Sequence, residues 1–163
     1  MEESGDKWGR LKPNKVYGLT KEKMFIGEYI HNIDEKGRLA VPVKFRNRLA
    51  SGAIVTKGLD NCLSLYPEEA WDKQSEKLSN LPQTQSKSRA YARFILAGAF
   101  NVEIDKQGRV VLPAALRQYA GIKNQVIVTG LGDHVEIWST KTWEEYRSNI
   151  EKDSVGIAEE LGI

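Results

Sequence analysis

Apolar and polar residues alternate in two short stretches of the chain, 25–33 (FIGEYIHNI) and 99–104 (AFNVEI). Alternation with a period of two is typical of a β-strand that buries one of its faces. A short polar turn follows each stretch, and a second apolar run comes directly after it, RLAV at 38–41 and RVVL at 109–112. Each half of the chain is therefore predicted to begin with two strands paired through a tight turn.

The two turns share the sequence features of one hairpin type. EKG at 35–37 and KQG at 106–108 are three-residue loops whose last residue is glycine. That pattern fits a type I turn closed by a left-handed residue in a bulge, where glycine has no steric penalty. An aspartate then faces an arginine across each neck, Asp34 with Arg38 and Asp105 with Arg109. Such a cross-strand ion pair is worth about 0.2–1 kcal/mol.

A helix is predicted after each of these strand pairs. Pro42 or Pro113 would occupy its first position, where the missing N–H does no harm, and Gly52 or Gly121 lies where the helix should end. Two further strands follow in each half, AIVTK with CLSLY and QVIVTG with HVEIW.

Another helix is predicted to begin near Pro67 in the first half and near Ser139 in the second. The aromatic residues around each start have the spacing of a hydrophobic staple: Tyr66 with Trp71, and Trp138 with Trp143. We expect these four side chains to anchor the core and not to stack on nucleic-acid bases.

An internal repeat accounts for this parallel order of elements. The segment 32–42 (NIDEKGRLAVP) matches 102–113 (VEIDKQGRVVLP), and 53–71 matches 126–143 in the same order. The two matches indicate a tandem duplication of a unit of about fifty residues. The predicted organisation is a flexible extension at 1–23, repeat 1 at 28–72, a linker and helix at 73–98, repeat 2 at 99–143, and an acidic C-terminal helix or tail at 144–163.

A single unit of this kind has little apolar surface that it can bury by itself. Two copies can bury that surface against each other. We therefore expect one α+β, β-rich fold in which the two halves interlock into a single barrel, and not two separate domains.

The distribution of charge is more informative than the net charge of +2. The body of the chain, 24–143, has 16 basic and 12 acidic residues, whereas 144–163 has two basic and six acidic residues. Basic residues cluster in one acid-free stretch of each half, Lys36, Arg38, Lys44, Arg46 and Arg48 in the first and Lys106, Arg109 and Arg117 in the second. Local patches of this kind attract phosphate. On charge alone, a solvated basic face remains the more common explanation.

The residues of an enzyme or a metal site are not evident in the sequence. His31 and His134 do not occupy equivalent repeat positions, and Cys62 lies in an apolar strand where a buried thiol is usual. One cysteine and two separated histidines have no metal-site spacing, and no glycine-rich phosphate loop precedes a helix. We expect no enzymatic activity, no cofactor, no metal and no small-molecule substrate.

The chain is also expected to reside in the cytoplasm and not in a membrane. Its apolar runs are only a few residues long, far short of a membrane span. A single cysteine excludes an intrachain disulfide, which fits a reducing compartment.

The start MFIGEYIHNIDEKGRLAVP, the second motif DKQGRVVLP and the layout of the halves resemble the MraZ family, over residues 24 to about 150. MraZ proteins are tandem-repeat members of the AbrB/SpoVT group of swapped-hairpin DNA-binding proteins. The resemblance implies a swapped-hairpin barrel with short flanking helices, formed within one chain. It also implies a cytoplasmic, nucleoid-associated transcriptional regulator of the division and cell-wall gene cluster, including its own promoter. Members of the family form closed rings and bind direct repeats in double-stranded DNA.

The resemblance assigns DNA binding to the D-x-x-x-R element, here Asp34–Arg38 and Asp105–Arg109. Because arginine can donate two hydrogen bonds to guanine O6 and N7, we predict Arg38 and Arg109 as the principal contacts. Asp34 and Asp105 are assigned a structural role at the neck, since carboxylates repel phosphates. Further candidates are Lys36 and Lys106 on phosphates, the backbone at Gly37 and Gly108, and, more weakly, Arg46, Arg48 and Arg117.

Two features leave alternatives open. The second motif carries Lys106 and Gln107 where the first has Glu35 and Lys36, so the two loops need not contribute equally. The acidic C-terminal segment also allows a second interpretation, an antitoxin-like protein–protein module of the same fold. Co-purification with a specific small toxin would favour that interpretation.

Overall fold

The computed structural model describes residues 24–163, so the extension predicted at 1–23 lies outside the described residues. The first half of this part contains β1 (Glu28–Asn32), β2 (Arg38–Ala40), α1 (Val43–Leu49), β3 (Ala53–Lys57), β4 (Leu63–Pro67) and α2 (Glu68–Ser79). Helix α3 (Ser86–Leu96) leads into the second half, which contains β5 (Phe100–Val102), β6 (Arg109–Val111), α4 (Ala114–Ala120), β7 (Gln125–Gly130), β8 (Val135–Ser139) and α5 (Thr140–Leu161). The expected mixed α+β, sheet-rich class is confirmed.

The predicted helix starts agree closely with the structure. Pro67 and Ser139 are the N-caps of α2 and α5, which agrees with the helix starts predicted near them. Pro42 and Pro113 are the N-caps of α1 and α4, one position before the predicted one, because their ψ angles of 136° and 146° are extended and not helical.

The helix ends differ between the two repeats. Gly121 is the left-handed C-cap of α4, with a φ of 67°, as predicted. Helix α1 ends earlier, with Ala50 as its C-cap, and Gly52 lies in the following loop with a φ of 123°.

Both predicted aromatic staples are present at the helix starts. The ring centroids of Tyr66 and Trp71 lie 5.6 Å apart, and those of Trp138 and Trp143 lie 5.2 Å apart. Tyr66 and Trp138 are buried, so these side chains fix the direction in which α2 and α5 leave the sheet.

The main sheet is built from strands of both repeats. Its six antiparallel strands have the order β1-β7-β8-β4-β3-β5. The predicted hairpins β3–β4 and β7–β8 are formed, and they join through β4 and β8 at the centre. At the two ends, β1 of repeat 1 pairs with β7 of repeat 2, and β5 of repeat 2 pairs with β3 of repeat 1. The halves therefore interlock by exchanging their first strands.

The prediction that β1 pairs with β2, and β5 with β6, is wrong beyond the neck of each turn. One bridge, Ile33 with Leu39, follows the first turn, and β2 then pairs with β6 of the other repeat. This exchange buries Leu39 and Val110, which are 1% and 0% exposed, in one shared core. The expected barrel is not closed, since no ladder joins β1 to β5 within residues 24–163.

Equivalent residues of the two repeats meet in the main core. The turn-following strands and the helices after them contribute four pairs of buried side chains, Leu39 and Val110, Val41 and Leu112, Phe45 and Leu116, and Leu49 and Ala120. Complete burial of a large apolar side chain stabilises the fold by about 1.5–3 kcal/mol. The core therefore holds β2, β6, α1 and α4 together as one unit.

A smaller cluster lies beneath α5. Cys62, Ile127 and Trp138 are buried there, and Trp143 packs against them. Burial raises the pKa of the Cys62 thiol far above its ordinary range, with a contribution from Glu136, so this cysteine is a core residue, as predicted. None of the helices in residues 24–163 is both long and apolar enough to cross a bilayer.

Candidate nucleic-acid interface

The two predicted turns lie at opposite ends of a short antiparallel ribbon formed by β2 and β6. We name residues 34–38 turn 1 and residues 105–109 turn 2. Arg38 is paired with Val111 and Ala40 with Arg109. The backbone N–H groups of the residues after each strand extend the ribbon, since Val41 donates to Gly108 O at 2.9 Å and Leu112 donates to Gly37 O at 2.8 Å. Each turn is thus held against the other repeat.

Side chains alternate between the two faces of this ribbon. The inner face carries Leu39 and Val110, which are buried. The outer face therefore carries the residues on either side of them, Arg38, Ala40, Arg109 and Val111. Residues on one face that are directly or diagonally opposite lie about 5–8 Å apart. The ribbon consequently brings Arg38 and Arg109, which are 71 positions apart in the sequence, onto one face.

Both turns have the closing hydrogen bond and the left-handed glycine that the predicted turn requires. Gly37 N donates to Asp34 O at 3.0 Å, and Gly108 N donates to Asp105 O at 3.0 Å. The φ angles of the two glycines are 82° and 79°, in the left-handed region. Because the N–H groups of both glycines are hydrogen-bonded within the turns, the main role of these glycines is to allow the turn conformation.

Each turn aspartate organises its own loop. Asp34 Oδ1 accepts hydrogen bonds from Lys36 N at 3.0 Å and Arg38 N at 2.9 Å, and Oδ2 accepts one from Arg38 Nε at 2.6 Å. In turn 2, Asp105 Oδ1 accepts from the backbone at 2.8 and 2.9 Å, and Oδ2 accepts from Arg109 Nε at 3.0 Å. The backbone N–H of Arg38 is the main cause that lowers the pKa of the Asp34 carboxyl. The backbone N–H of Arg109 likewise lowers the pKa of Asp105.

The ion pairs leave the ends of both arginines accessible. In each ion pair Nε–H donates to the aspartate, which leaves N–H groups of Nη1 and Nη2 for other partners. The side chains of Arg38 and Arg109 are 34% and 29% exposed. Both arginine side chains are therefore partly exposed, and each is held at its Nε by its own aspartate.

Arg46 and Arg117 are half-buried, and each contacts the turn of the other repeat. Arg46 Nε donates to Val41 O at 2.8 Å, and Arg117 Nε donates to Leu112 O at 3.0 Å. The Arg46 guanidinium packs on Gly108 of the other repeat, and the Arg117 guanidinium packs on Gly37. The sequence signal for this role is their equivalence in the repeat, but the partner glycines are more than 60 positions away.

The remaining basic candidates lie in different surroundings. Arg48 donates to Glu69 Oε1 at 2.7 Å and lies over the Phe25 ring, 5.2 Å from its centroid. Lys36 and Lys106 are exposed at the tips of the turns. The tips therefore offer exposed positive charge at both ends of the ribbon.

The two turns differ in charge. Turn 1 has two acidic and two basic residues, whereas turn 2 has one acidic and two basic residues. Beside turn 2 lies an open groove of about 460 Å³, between α1 and the loop, that sequence reasoning missed. Lys106, Asp105 and Asn47 are among its lining residues. Turn 2 is thus the more positive end of the ribbon.

Comparison with known proteins decides the family. A family described as "MraZ protein, putative antitoxin-like" matches the chain twice in succession, at residues 24–94 and 95–161. The chain belongs to the MraZ family. The double match confirms the tandem duplication that the sequence analysis identified.

MraZ relatives are similar to the chain over most of its length. Proteins named transcriptional regulator MraZ from Syntrophomonas wolfei and Thermoanaerobacter sp. are 48% and 49% identical over 138 residues, which is 85% of this chain and 96% of each relative. The one from Desulforamulus reducens is 47% identical over 138 residues, 85% of this chain and 97% of the relative. The MraZ relatives are thus named as transcriptional regulators, which is not an enzyme class.

Proposed function

We propose that the chain is a sequence-specific DNA-binding transcriptional regulator that reads DNA with the outer face of the β2–β6 ribbon. The observation that carries this proposal is the presence of Arg38 and Arg109 on one exposed face, each oriented by its own aspartate. The names of the MraZ relatives support the same class of function.

The dimensions of DNA suit this ribbon. The major groove is about 12 Å wide and admits a two-stranded β-ribbon. An arginine can donate two hydrogen bonds to O6 and N7 of guanine there. In this arrangement the Asp34 and Asp105 carboxylates stay on the Nε edges, so the Nη groups of Arg38 and Arg109 approach the bases end-on.

Contacts to the DNA backbone would come from the turn tips. Lys36 and Lys106 flank the arginine face and are free to approach phosphates. Arg46, Arg48 and Arg117 have intramolecular partners, so their contribution is to hold the ribbon and α1 in place. Because turn 2 is the more positive turn, we propose that it supplies more of the phosphate attraction than turn 1.

The resemblance to the MraZ family also bears on strand exchange, ring assembly and the target promoter. The exchanged strands β1 and β5 support a swapped-hairpin description of the two halves. We propose a cytoplasmic, nucleoid-associated ring of copies that binds direct repeats upstream of its own gene, in the division and cell-wall cluster. Several ribbons on one ring would raise avidity by about 10²–10⁴ without new contacts, which compensates for the low net charge.

Gel shifts on promoter DNA test the proposal. Replacing Arg38 and Arg109 with alanine removes both bidentate donors, and each is worth about 1–3 kcal/mol, or about 5- to 150-fold in affinity. The matched control is Lys141→Ala with Lys152→Ala, which removes the same charge from exposed positions of α5. We expect the arginine variant to lose specific binding and the lysine variant to retain it. Equal binding by both variants would refute the proposed interface.

A further inference from the structure

The C-terminal half of α5 carries an exposed apolar stripe. Ile150, Ile157 and Leu161 are 36%, 43% and 68% exposed. Their spacing of seven and four residues sets them on one face of the helix. The first turns of α5 pack on the sheet through Trp143, but the residues beyond position 147 are almost all exposed.

Acidic residues border this stripe. At 100° per residue, Asp153 and Glu160 follow one edge of the stripe, and Glu151 lies on the other side. The segment 144–163 has six acidic and two basic residues. The exposed half of α5 is therefore an acidic amphipathic helix whose apolar face has no partner within the described residues.

Helix α3 presents a groove of the opposite character. The groove has a volume of about 300 Å³ and is lined by Gln83, Arg89, Ala92, Arg93, Leu96 and Ala97. Its apolar part includes Leu96, which is 38% exposed. The segment 77–102 contains four basic residues and no acidic residue. An acidic amphipathic helix complements this groove in both hydrophobicity and charge.

The two repeats differ at the corresponding point of the chain. In repeat 1, α2 ends at Ser79, and α3 then returns to the body, where Ile95 is buried and its carbonyl accepts a hydrogen bond from Thr56 Oγ1 at 2.6 Å. In repeat 2, α5 continues as one helix to Leu161. The second half of α5 is thus exposed, whereas α3 returns to the body of the fold.

We propose that the exposed half of α5 docks into the α3 groove of a second copy of this chain. Ile157 and Leu161 enter the apolar part of the groove, and Asp153 and Glu160 face Arg89 and Arg93 of the other copy. Because two different surfaces meet, the contact is head-to-tail and repeats from copy to copy. The inference rests on the proposed function in one respect: it names the two surfaces through which copies would assemble into the proposed ring.

The first test is the mass of the full-length protein by size exclusion with light scattering. We expect Ile157→Asp with Leu161→Asp to reduce the assembly to single chains or small fragments of it. Val155→Asp is the matched control, because Val155 is 71% exposed but lies on the opposite side of α5. Circular dichroism verifies that all variants stay folded. Equal masses for the stripe variant and wild type, or loss of assembly in the control as well, would overturn the docking.

The second test is charge reversal. Asp153→Lys with Glu160→Lys, and Arg89→Glu with Arg93→Glu, should each weaken assembly when alone. An equal mixture of the two variants should regain the wild-type mass, because every stripe then meets an α3 of opposite charge. Failure of the mixture to recover would contradict a contact between α5 and α3.

A DNA-binding measurement distinguishes failure of this docking contact from failure of the proposed function. Binding to a duplex with one site should survive in the stripe variant, since the β2–β6 ribbon is untouched. If the α3 variant lost single-site binding while keeping its mass, the basic groove would be a DNA contact and the docking would be refuted. If wild type ran as a single chain and α5 retained a small toxin-like protein, α5 would serve a different partner.

Discussion

At the scale of single residues, glycine is required in the two turns for two reasons, the backbone conformation and the close approach of an arginine. Gly37 and Gly108 have positive φ angles of 82° and 79°. Each also lies against an arginine of the other repeat, so that a Cβ on Gly37 would come within 2.9 Å of Arg117 Nε and one on Gly108 would overlap the Arg46 guanidinium. Glycine therefore sets the turn and allows the repeats to approach each other.

Replacing Gly108 with alanine should destabilise the protein more than the same change at Gly121. Gly121 also has a positive φ, but a Cβ there would meet nothing within 4 Å, so Gly121→Ala reports the backbone penalty of about 1–2 kcal/mol alone. Unfolding in urea measures both losses. In a background of Arg46→Ala the extra loss at Gly108 should shrink, and equal losses at the two glycines would contradict the cross-repeat contact.

The turn aspartates predict a dependence of stability on pH. Folding lowers the pKa of Asp34 and Asp105, mainly through backbone N–H groups. Their stabilisation is therefore complete above the unfolded pKa of about 3.9 and is lost as the pH falls through the lower folded pKa. The free energy of unfolding of Asp34→Asn with Asp105→Asn should lie below that of wild type at pH 7 and converge with it in acid. A constant difference across this range would rule out the ionised carboxylates as the cause.

At the scale of elements, the sequence predicts turns and helix starts better than it predicts which strands pair with each other. The turns, the aromatic staples and the helix starts near Pro67 and Ser139 depend on residues within a few positions of one another, and the structure contains them. The partner of β1 was not, because FIGEYIHNI is an equally suitable neighbour for RLAV and for QVIVTG. The repeat gives every strand two equivalent partners, so only the shared core decides between them.

In the candidate site, too, the local motif is predictable from the sequence and the long-range contacts are not. Arg38, Asp34 and their copies were identified from a local motif. The placement of Arg38 and Arg109 on one face, and the contact of Arg46 with Gly108, depend on the β2–β6 pairing. Since that pairing joins segments about 70 positions apart, no local pattern could reveal it.

The cap of α5 gives a prediction at this scale. Ser139 Oγ accepts a hydrogen bond from Thr142 N at 3.2 Å, so Ser139→Ala should destabilise the protein by about 0.5–2 kcal/mol. Ser154→Ala is the control, because Ser154 is exposed in the middle of the same helix and alanine is the better helix former there. Thermal unfolding compares the two variants. A larger effect at position 154 than at 139 would show that the cap contributes little.

At the scale of the whole molecule, duplication yields one ribbon from two loops. The register is symmetric about Leu39 and Val110, which relates turn 1 to turn 2 by an approximate two-fold axis. A single repeat would present one arginine and would lack its partner strand. The fold thus couples the burial of the core to the spacing of the two guanidinium groups.

The most direct measurement of the central claim uses DNA that lacks one acceptor. Substituting 7-deazaguanine for guanine in the promoter repeat removes N7 and leaves the Watson–Crick pairing intact, so bidentate arginine contacts in the major groove are lost. Fluorescence anisotropy at fixed salt should show weaker binding of wild type to the substituted duplex, and no change for Arg38→Ala with Arg109→Ala. Equal and still sequence-specific binding of wild type to both duplexes would contradict arginine readout by the β2–β6 ribbon.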